Sequence, residues 1–200
     1  MFKNIIFDFG DIFINLDKQA PIREMQKWGL KDFEPSFTEL LFSYEKGLMD
    51  SETFIHKMNG FFPTANKQQI KTGWNSIILD FPEYRLEFIE QLAREKEYNL
   101  ILLSNTNALH IEKVIENMEK GRFERFKKCF DKFYLSHEIN YRKPDAEIYR
   151  FVLDTNHLKA SETFFVDDTL ENTLAAEKLG ITSWNLQVGQ EDIVQLKSKI

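Results

Sequence analysis

The sequence predicts an α/β fold, a parallel sheet covered by helices on both faces, with a block of helices standing between the first strand and the rest. Three observations predict it. Four short runs, Asn4-Ile5-Ile6-Phe7, Leu100-Ile101-Leu102-Leu103, Phe133-Tyr134-Leu135 and Thr163-Phe164-Phe165-Val166, lack the polar alternation of a half-exposed sheet, as strands buried on both faces do. Stretches with apolar residues every three to four positions separate the later runs. Strands alternating with helices pair in parallel. The interval between residues 19 and 79 shows helical spacing alone and breaks that alternation once.

In order, a strand is expected over residues 4 to 9, followed by a loop through Asp11 to Asp17. Ile22, Met25 and Trp28, then Phe37, Leu40, Leu41 and Tyr44, have the spacing of amphipathic helices. Asp50 precedes Ser51-Glu52-Thr53 at an N-cap position, and Gly47, Gly60 and Pro63 punctuate the turns. A helix from 82 to 95 leads into a strand over 99 to 104. A helix over 107 to 117, a strand over 133 to 136, a helix over 145 to 153 and a strand over 163 to 167 continue the alternation. The next helix, over 172 to 179, stops at Gly180, a residue free to take the left-handed turn that ends helices. A strand over 182 to 185 and a tail helix from Glu191 follow. Residues 1 to 17 and 81 to 200 thus read as one sheet-bearing domain, and 18 to 80 as a helical domain inserted in it.

A chain of 200 residues, 42% hydrophobic with 19 Phe, can bury an aromatic-rich core. Its net charge of -6 argues against nucleic acid as a partner. The one basic stretch, Lys120 to Lys128, interleaves Phe123 and Phe126, which are expected to face inward while the charges face water. No apolar run approaches the roughly 20 residues that cross a bilayer, so no membrane partner is expected. Cys129 stands alone and is read as a small buried residue; a reducing, cytoplasmic setting fits.

Each strand run ends on a reactive polar residue. Open α/β sheets bind ligands beyond the carboxyl ends of their strands, so Asp8, Ser104 and the pair Asp167-Asp168 are expected to converge there, with Lys143 from the loop after the third run. A carboxylate can attack phosphorus and form an acyl phosphate that water hydrolyses. Ser104 and Asn105 can bind phosphoryl oxygens, and Lys143 can neutralise charge on nucleophile and phosphate. Two adjacent acids supply the hard oxygens that Mg²⁺ requires.

The order Phe7-Asp8-Phe9-Gly10-Asp11, Leu103-Ser104-Asn105-Thr106-Asn107, Arg142-Lys143-Pro144-Asp145, Phe165-Val166-Asp167-Asp168 resembles the haloacid dehalogenase superfamily, with all four signature motifs in sequence. The resemblance implies a Rossmann-like core with a small helical-bundle cap between the first two motifs. Within the superfamily the chain looks most like capped sugar-phosphate phosphatases and the phosphatase domain of bifunctional epoxide hydrolases. It implies Asp8 as nucleophile, Ser104 as phosphate-binding hydroxyl, Lys143 as motif lysine and Asp168 as Mg²⁺ ligand. It further implies Asp167 in support, the Gly10 carbonyl as a backbone ligand and Asn172 steadying the metal's waters. The implied partner is a small phosphorylated metabolite.

One position departs from the pattern. Family phosphatases commonly carry a second Asp two residues after the nucleophile as general acid and base, a function worth roughly 10²- to 10⁴-fold. Gly10 stands there instead; some branches share that change. Asp11 is read as pointing elsewhere, and Asp17 as the acid that could reach back. A phosphate-binding relative with weak turnover, and a metal-independent dehalogenase, remain as alternatives.

In the helical domain Tyr44 and Glu45 break the amphipathic pattern and are candidate substrate contacts, whereas Trp28 and Trp74 read as core. His110 and His137 lie near the motifs without metal-ligand spacing, and His56 and His157 read as ordinary surface or core residues.

Overall fold

The structure, a computed structural model, describes residues 1–200. In chain order its elements are β1 (Asn4–Phe7), α1 (Ala20–Lys27), α2 (Pro35–Glu45), α3 (Ser51–Phe61), α4 (Lys67–Asn75), α5 (Glu83–Glu95), β2 (Asn99–Ser104), α6 (Ala108–Met118) and α7 (Lys120–Lys127). There follow β3 (Lys132–Leu135), α8 (Ser136–Ile139), α9 (Ala146–Thr155), β4 (Thr163–Asp167), α10 (Leu170–Glu177) and β5 (Thr182–Asn185), with 3₁₀ turns over Ala160–Glu162 and Ile193–Ser198. The five strands form one sheet in the order β3-β2-β1-β4-β5, every neighbouring pair parallel.

The unbroken apolar runs are explained by burial on both sides. Ile5 and Phe7 join the larger apolar cluster with Leu86, Ile89 and Leu92 of α5, Val114 of α6 and Phe126 of α7. Ile6 faces the opposite way, into a cluster with Ile148, Tyr149 and Val152 of α9 and Ala176 of α10. Leu100 and Leu102 against Ile101 and Leu103, and Phe164 and Val166 against Phe165, divide in the same way, as the two-residue period of a strand requires. Phe126 is the aromatic hub. Its ring centroid lies 5.2 Å from Phe9, 5.1 Å from Phe13, 5.0 Å from Phe81 and 5.0 Å from Phe130.

Helix α7, read from sequence only as a basic stretch, turns Phe123 and Phe126 inward as expected. Arg122 pairs with Glu83 and Arg125 with Glu90, so two of its charges are taken by α5. The expected tail helix is a 3₁₀ turn instead. Its buried residues, Ile193 and Leu196, are three apart, which suits three residues per turn, and Asp192 and Gln195 cap it reciprocally. No helix is long and apolar enough to cross a membrane.

Helices α1 to α4 have an apolar cluster of their own, including Met25, Phe37, Tyr44, Phe54, Met58, Ile70 and Trp74, which also takes in Leu109 of α6. Asp50 caps α3, its carboxylate accepting from the Thr53 amide at 2.7 Å. The chain entering this segment runs antiparallel to the chain leaving it. The Asn15 amide donates to the Asp80 carbonyl (2.9 Å), Asp17 to Ile77 (2.9 Å) and Leu79 to Asn15 (3.1 Å). At the other end, α2 closes on Gly47, whose φ of +66° and close approach to α8 both exclude a side chain. A Cβ there would lie 1.9 Å from the His137 carbonyl oxygen. Gly60 in α3 has open space around it. Gly47→Ala is therefore expected to destabilise the fold by more than about 1 kcal/mol, and Gly60→Ala to stabilise it by roughly 0.5–1 kcal/mol, in urea denaturation.

Candidate active site

Parallel strands bring their carboxyl ends to one edge, and the polar residues that end β1, β2 and β4 meet there. Asp8 follows β1, with its amide held by the Val166 carbonyl at 2.9 Å. Asp167 ends β4 and Ser104 ends β2. Lys143 reaches in from the loop after α8, and its side chain is only 1% exposed. Its ammonium donates to Asp8 Oδ1 at 2.6 Å and to Asp167 Oδ2 at 2.7 Å. Burial alone would depress Lys143; Asp167 and Asp8 outweigh it and keep the ammonium charged.

Asn105 holds this lysine in place. Its Oδ1 accepts from the Lys143 amide and its Nδ2 donates to the Lys143 carbonyl, both at 2.8 Å. Asn105 is expected on the substrate; in the structure its amide binds the Lys143 backbone, leaving one N–H and one lone pair of the carboxamide unused. Ser104 keeps its hydroxyl free apart from a 3.5 Å contact to the Asn105 carbonyl, although the residue is buried.

Asp167 is saturated. Oδ1 accepts from the Thr169 amide (2.8 Å) and Asn172 Nδ2 (3.0 Å), and Oδ2 from Asn172 Nδ2 (3.0 Å) and Lys143. Asn172 therefore steadies Asp167. Asp168 is nearly as buried, and its Oδ2 is in contact with the Lys18 ammonium, a residue no motif marked. Lys18 also meets Asp11 Oδ2 at 2.9 Å. Asp11 lies outside the acidic cluster. Its left-handed backbone (φ 55°) turns the carboxylate so that Oδ1 takes the Leu16 amide and Oδ2 faces Lys18 at the site's rim. Asp17 does not reach back. Its carboxylate accepts from the Gln19 and Ala20 amides at 3.1 Å, at the start of α1, and pairs with Arg23.

Asp8, Asp167 and Asp168 each present an oxygen within 4.8 Å of the others. Lys143 serves Asp8 and Asp167 from the buried side, and Lys18 serves Asp168 and Asp11 at the half-exposed rim, so acids outnumber ammonium groups here. Burial, opposed by Lys143 and reinforced by Asp167 and Asp168, pushes Asp8 up to about 7. Burial likewise raises Asp168 against the pull of Lys18. Crowded hard oxygen donors that burial and mutual repulsion keep from ionising freely are the surroundings a divalent cation fits. The Gly10 carbonyl accepts no backbone hydrogen bond and remains available beside them. A Cβ on Gly10 would lie 2.7 Å from Leu16 Cδ1, so the side-chain space at this position is taken by Leu16.

Tyr44 is placed differently from the sequence expectation. Tyr44 is enclosed, its ring stacked 3.9 Å from Phe54 and its hydroxyl bonded to Ser51 (2.7 Å) and to the Leu109 amide (3.3 Å). That removes it from contact with any substrate. Glu45 pairs with Arg142 at 3.0 Å, and Arg142 lies over the Phe42 ring at 3.8 Å. Trp74 packs in the helical cluster, stacked on His110 with its Nε1 donating to Asn107 Oδ1 at 3.3 Å. His110 is half-buried and bridges the Trp74 carbonyl and Asn107, and desolvation lowers it to about 4. Neither it nor His137 approaches the acidic cluster.

This geometry matches a known family. Residues 15–180 match the model of the haloacid dehalogenase-like hydrolases. The chain belongs to that family. It is 26% identical to a D-ribitol-5-phosphate phosphatase of Bacteroides thetaiotaomicron, over 96% of this chain and 95% of that protein. It is 24% identical to a sesquiterpene phosphatase of Aspergillus oryzae, over 100% of this chain and 97% of that one. A family enzyme from B. thetaiotaomicron, solved as the wild-type protein with magnesium and inorganic phosphate, superposes with a TM-score of 0.79 at 32% identity, covering 96% of this chain and 97% of its own. This haloacid dehalogenase-like chain is accordingly an enzyme of the hydrolase class, and both named relatives are phosphatases.

An acid whose folded-state pKa stands near 7 rather than 3.8 keeps its proton longer in the folded protein. Asp8 therefore favours folding toward low pH, and its contribution is lost as pH rises from about 4 through about 7. In chelator-treated protein, Asp8→Asn is expected to gain stability over wild type as pH rises from about 4 to about 8, in denaturant titrations across that range. A difference that stays flat with pH would contradict the buried, unneutralised charge at Asp8.

Proposed function

We propose that the protein is a Mg²⁺-dependent phosphatase that hydrolyses a small phosphomonoester through an aspartyl-phosphate on Asp8. The observation that carries the reading is Lys143 bridging Asp8 and Asp167 inside a cluster of three carboxylates whose oxygens lie within 4.8 Å of one another.

Lys143 holds Asp8 Oδ1, so Oδ2 is the oxygen left to attack. It forms the bond to phosphorus as the ester P–O bond breaks, and the electron pair departs with the leaving oxygen, which takes a proton from water. Ser104 and Lys143 bind the phosphoryl oxygens. Water then attacks the same phosphorus, the acyl phosphate breaks at its P–O bond, and Asp8 returns to a carboxylate as phosphate leaves. Asp8, Asp168 and the Gly10 carbonyl would hold Mg²⁺, with Asp167 in support; when bound, the ion offsets the repulsion between Asp8 and the phosphate dianion. Gly10 provides no acid for the leaving group, which argues for modest turnover.

In this reading residues 18–80 form the cap over a core of residues 1–17 and 81–200. The cap is fastened to the segment carrying Lys143. Ser136 donates to the Glu45 carbonyl (2.6 Å), Asn140 to the Lys46 carbonyl (2.8 Å), and Lys46 pairs with Asp145 (2.8 Å). Product release requires these contacts to loosen. A cap closing over the site favours a metabolite-sized substrate, and the ribitol-5-phosphate phosphatase relative supports a phosphorylated sugar or polyol.

Phosphate release from a panel of sugar, polyol, isoprenyl and aromatic phosphomonoesters tests the proposal. Release is expected to require Mg²⁺, to favour sugar or polyol phosphates, and to fall by roughly 10³-fold or more in Asp8→Asn. Release in Asp8→Asn equal to wild type would overturn it. Phosphate bound without turnover would favour the binding relative that Gly10 suggests.

A further inference from the structure

Lys18 is the one cation at the site that lies outside the four motifs. It stands between Asp17 and α1, with its side chain 49% exposed, and its ammonium spans Asp11 Oδ2 and Asp168 Oδ2. These two acids are held differently. Asp11 is fixed from its other side, because Oδ1 takes the Leu16 amide and its own amide donates to the Ile14 carbonyl at 2.7 Å. Asp168 has one other side-chain contact, a 3.4 Å approach of Thr169 Oγ1 to Oδ1, and it belongs to the cluster whose oxygens suit a divalent ion. Lys18 and such an ion would thus meet at one carboxylate, whereas Asp11 lies outside the cluster and offers Oδ2 to Lys18. An ammonium has three donors on a flexible stem, so losing Asp168 leaves it tethered to Asp11 with donors to spare. A tethered ammonium at the rim of a site that accepts a phosphate dianion has an obvious partner.

We propose, on the strength of the metal-dependent phosphatase reading, that Lys18 competes with Mg²⁺ for Asp168 and, once displaced onto Asp11, binds the substrate's phosphate group. Lys18 then takes part in recognition from a position that no motif marks, and the segment leading into the cap senses whether the metal is bound.

The two halves of the proposal have opposite signs. Like charges a few ångströms apart oppose each other at a half-exposed site by about tenfold in a binding constant, and opposite charges attract by as much. Titration calorimetry is the test, with Mg²⁺ run into each protein and inorganic phosphate then run into each Mg²⁺-saturated protein. Lys18→Met is expected to bind Mg²⁺ about tenfold more tightly and phosphate about tenfold more weakly than wild type. Lys18→Arg should stay near wild type in both, because it keeps the cation. Lys3→Met makes the same charge change at the amino end of β1, where Lys3 pairs with Glu162, and should alter neither. A damaged fold would weaken both ligands together, so loss of both in Lys18→Met overturns the proposal. So does Lys18→Met matching wild type in both titrations; if wild type still hydrolyses phosphomonoesters with Mg²⁺, only the role of Lys18 falls. Wild type that takes up no Mg²⁺ overturns the metal-dependent reading and this proposal with it.

Discussion

The site depends on one buried ammonium. Lys143 touches Asp8 and Asp167 at once, and without it two carboxylates at the ends of adjacent strands would face each other in a largely buried space. Leaving a buried charge unpaired is costlier than the pair itself is stabilising. The surrounding structure is accordingly arranged to keep this lysine still. Asn105 clamps its backbone from the loop after β2, and Thr169 and Asn172 fix Asp167 so that its second oxygen faces the ammonium. Residues from β1, β2, β4, α10 and the loop after α8 thus converge on a single nitrogen.

The neutralisation stops short on purpose of chemistry. Burial, opposed by Lys143 and reinforced by Asp167 and Asp168, keeps Asp8 near 7 in the protein alone, and the three clustered carboxylates make the pocket receptive to a divalent ion. For the proposed reaction a fully neutral pocket would be more stable and less useful, since a nucleophile must be ionised to attack and must still tolerate an incoming dianion. Stability and reactivity are opposed at Asp8, and the cation requirement reconciles them.

The features legible in the sequence were those with a short-range signature. Strand runs such as Leu100–Leu103 and the residues that end them are contiguous, so their convergence followed from parallel topology alone. The caps at Asp50 and Gly180 are local as well. What escaped was set by tertiary partners. The Tyr44 hydroxyl is bonded to a residue 65 positions away, and Lys18 reaches Asp168 across 150. Asp11 illustrates the same limit at close range, because its left-handed backbone, invisible in composition or spacing, decides where its carboxylate points.

The joint between the helical segment and the sheet explains why a cap and a catalytic loop would act together. Ser136 is fully buried, and its single hydroxyl accepts from the Thr106 amide while lying 2.6 Å from the Glu45 carbonyl and 2.9 Å from the Thr106 carbonyl. It therefore joins the loop after β2, the start of α8 and the end of α2. Arg142, the residue before the central lysine, is held by Glu45 from the same helix end. Any movement of α2 away from the sheet must pull on the two loops that carry Ser104, Asn105 and Lys143. On its other side the segment is tied by the backbone bonds between residues 15–17 and 77–80. One side of the joint is thus made of backbone and the other mainly of side chains, and the side-chain contacts fall on the segment that positions the ammonium.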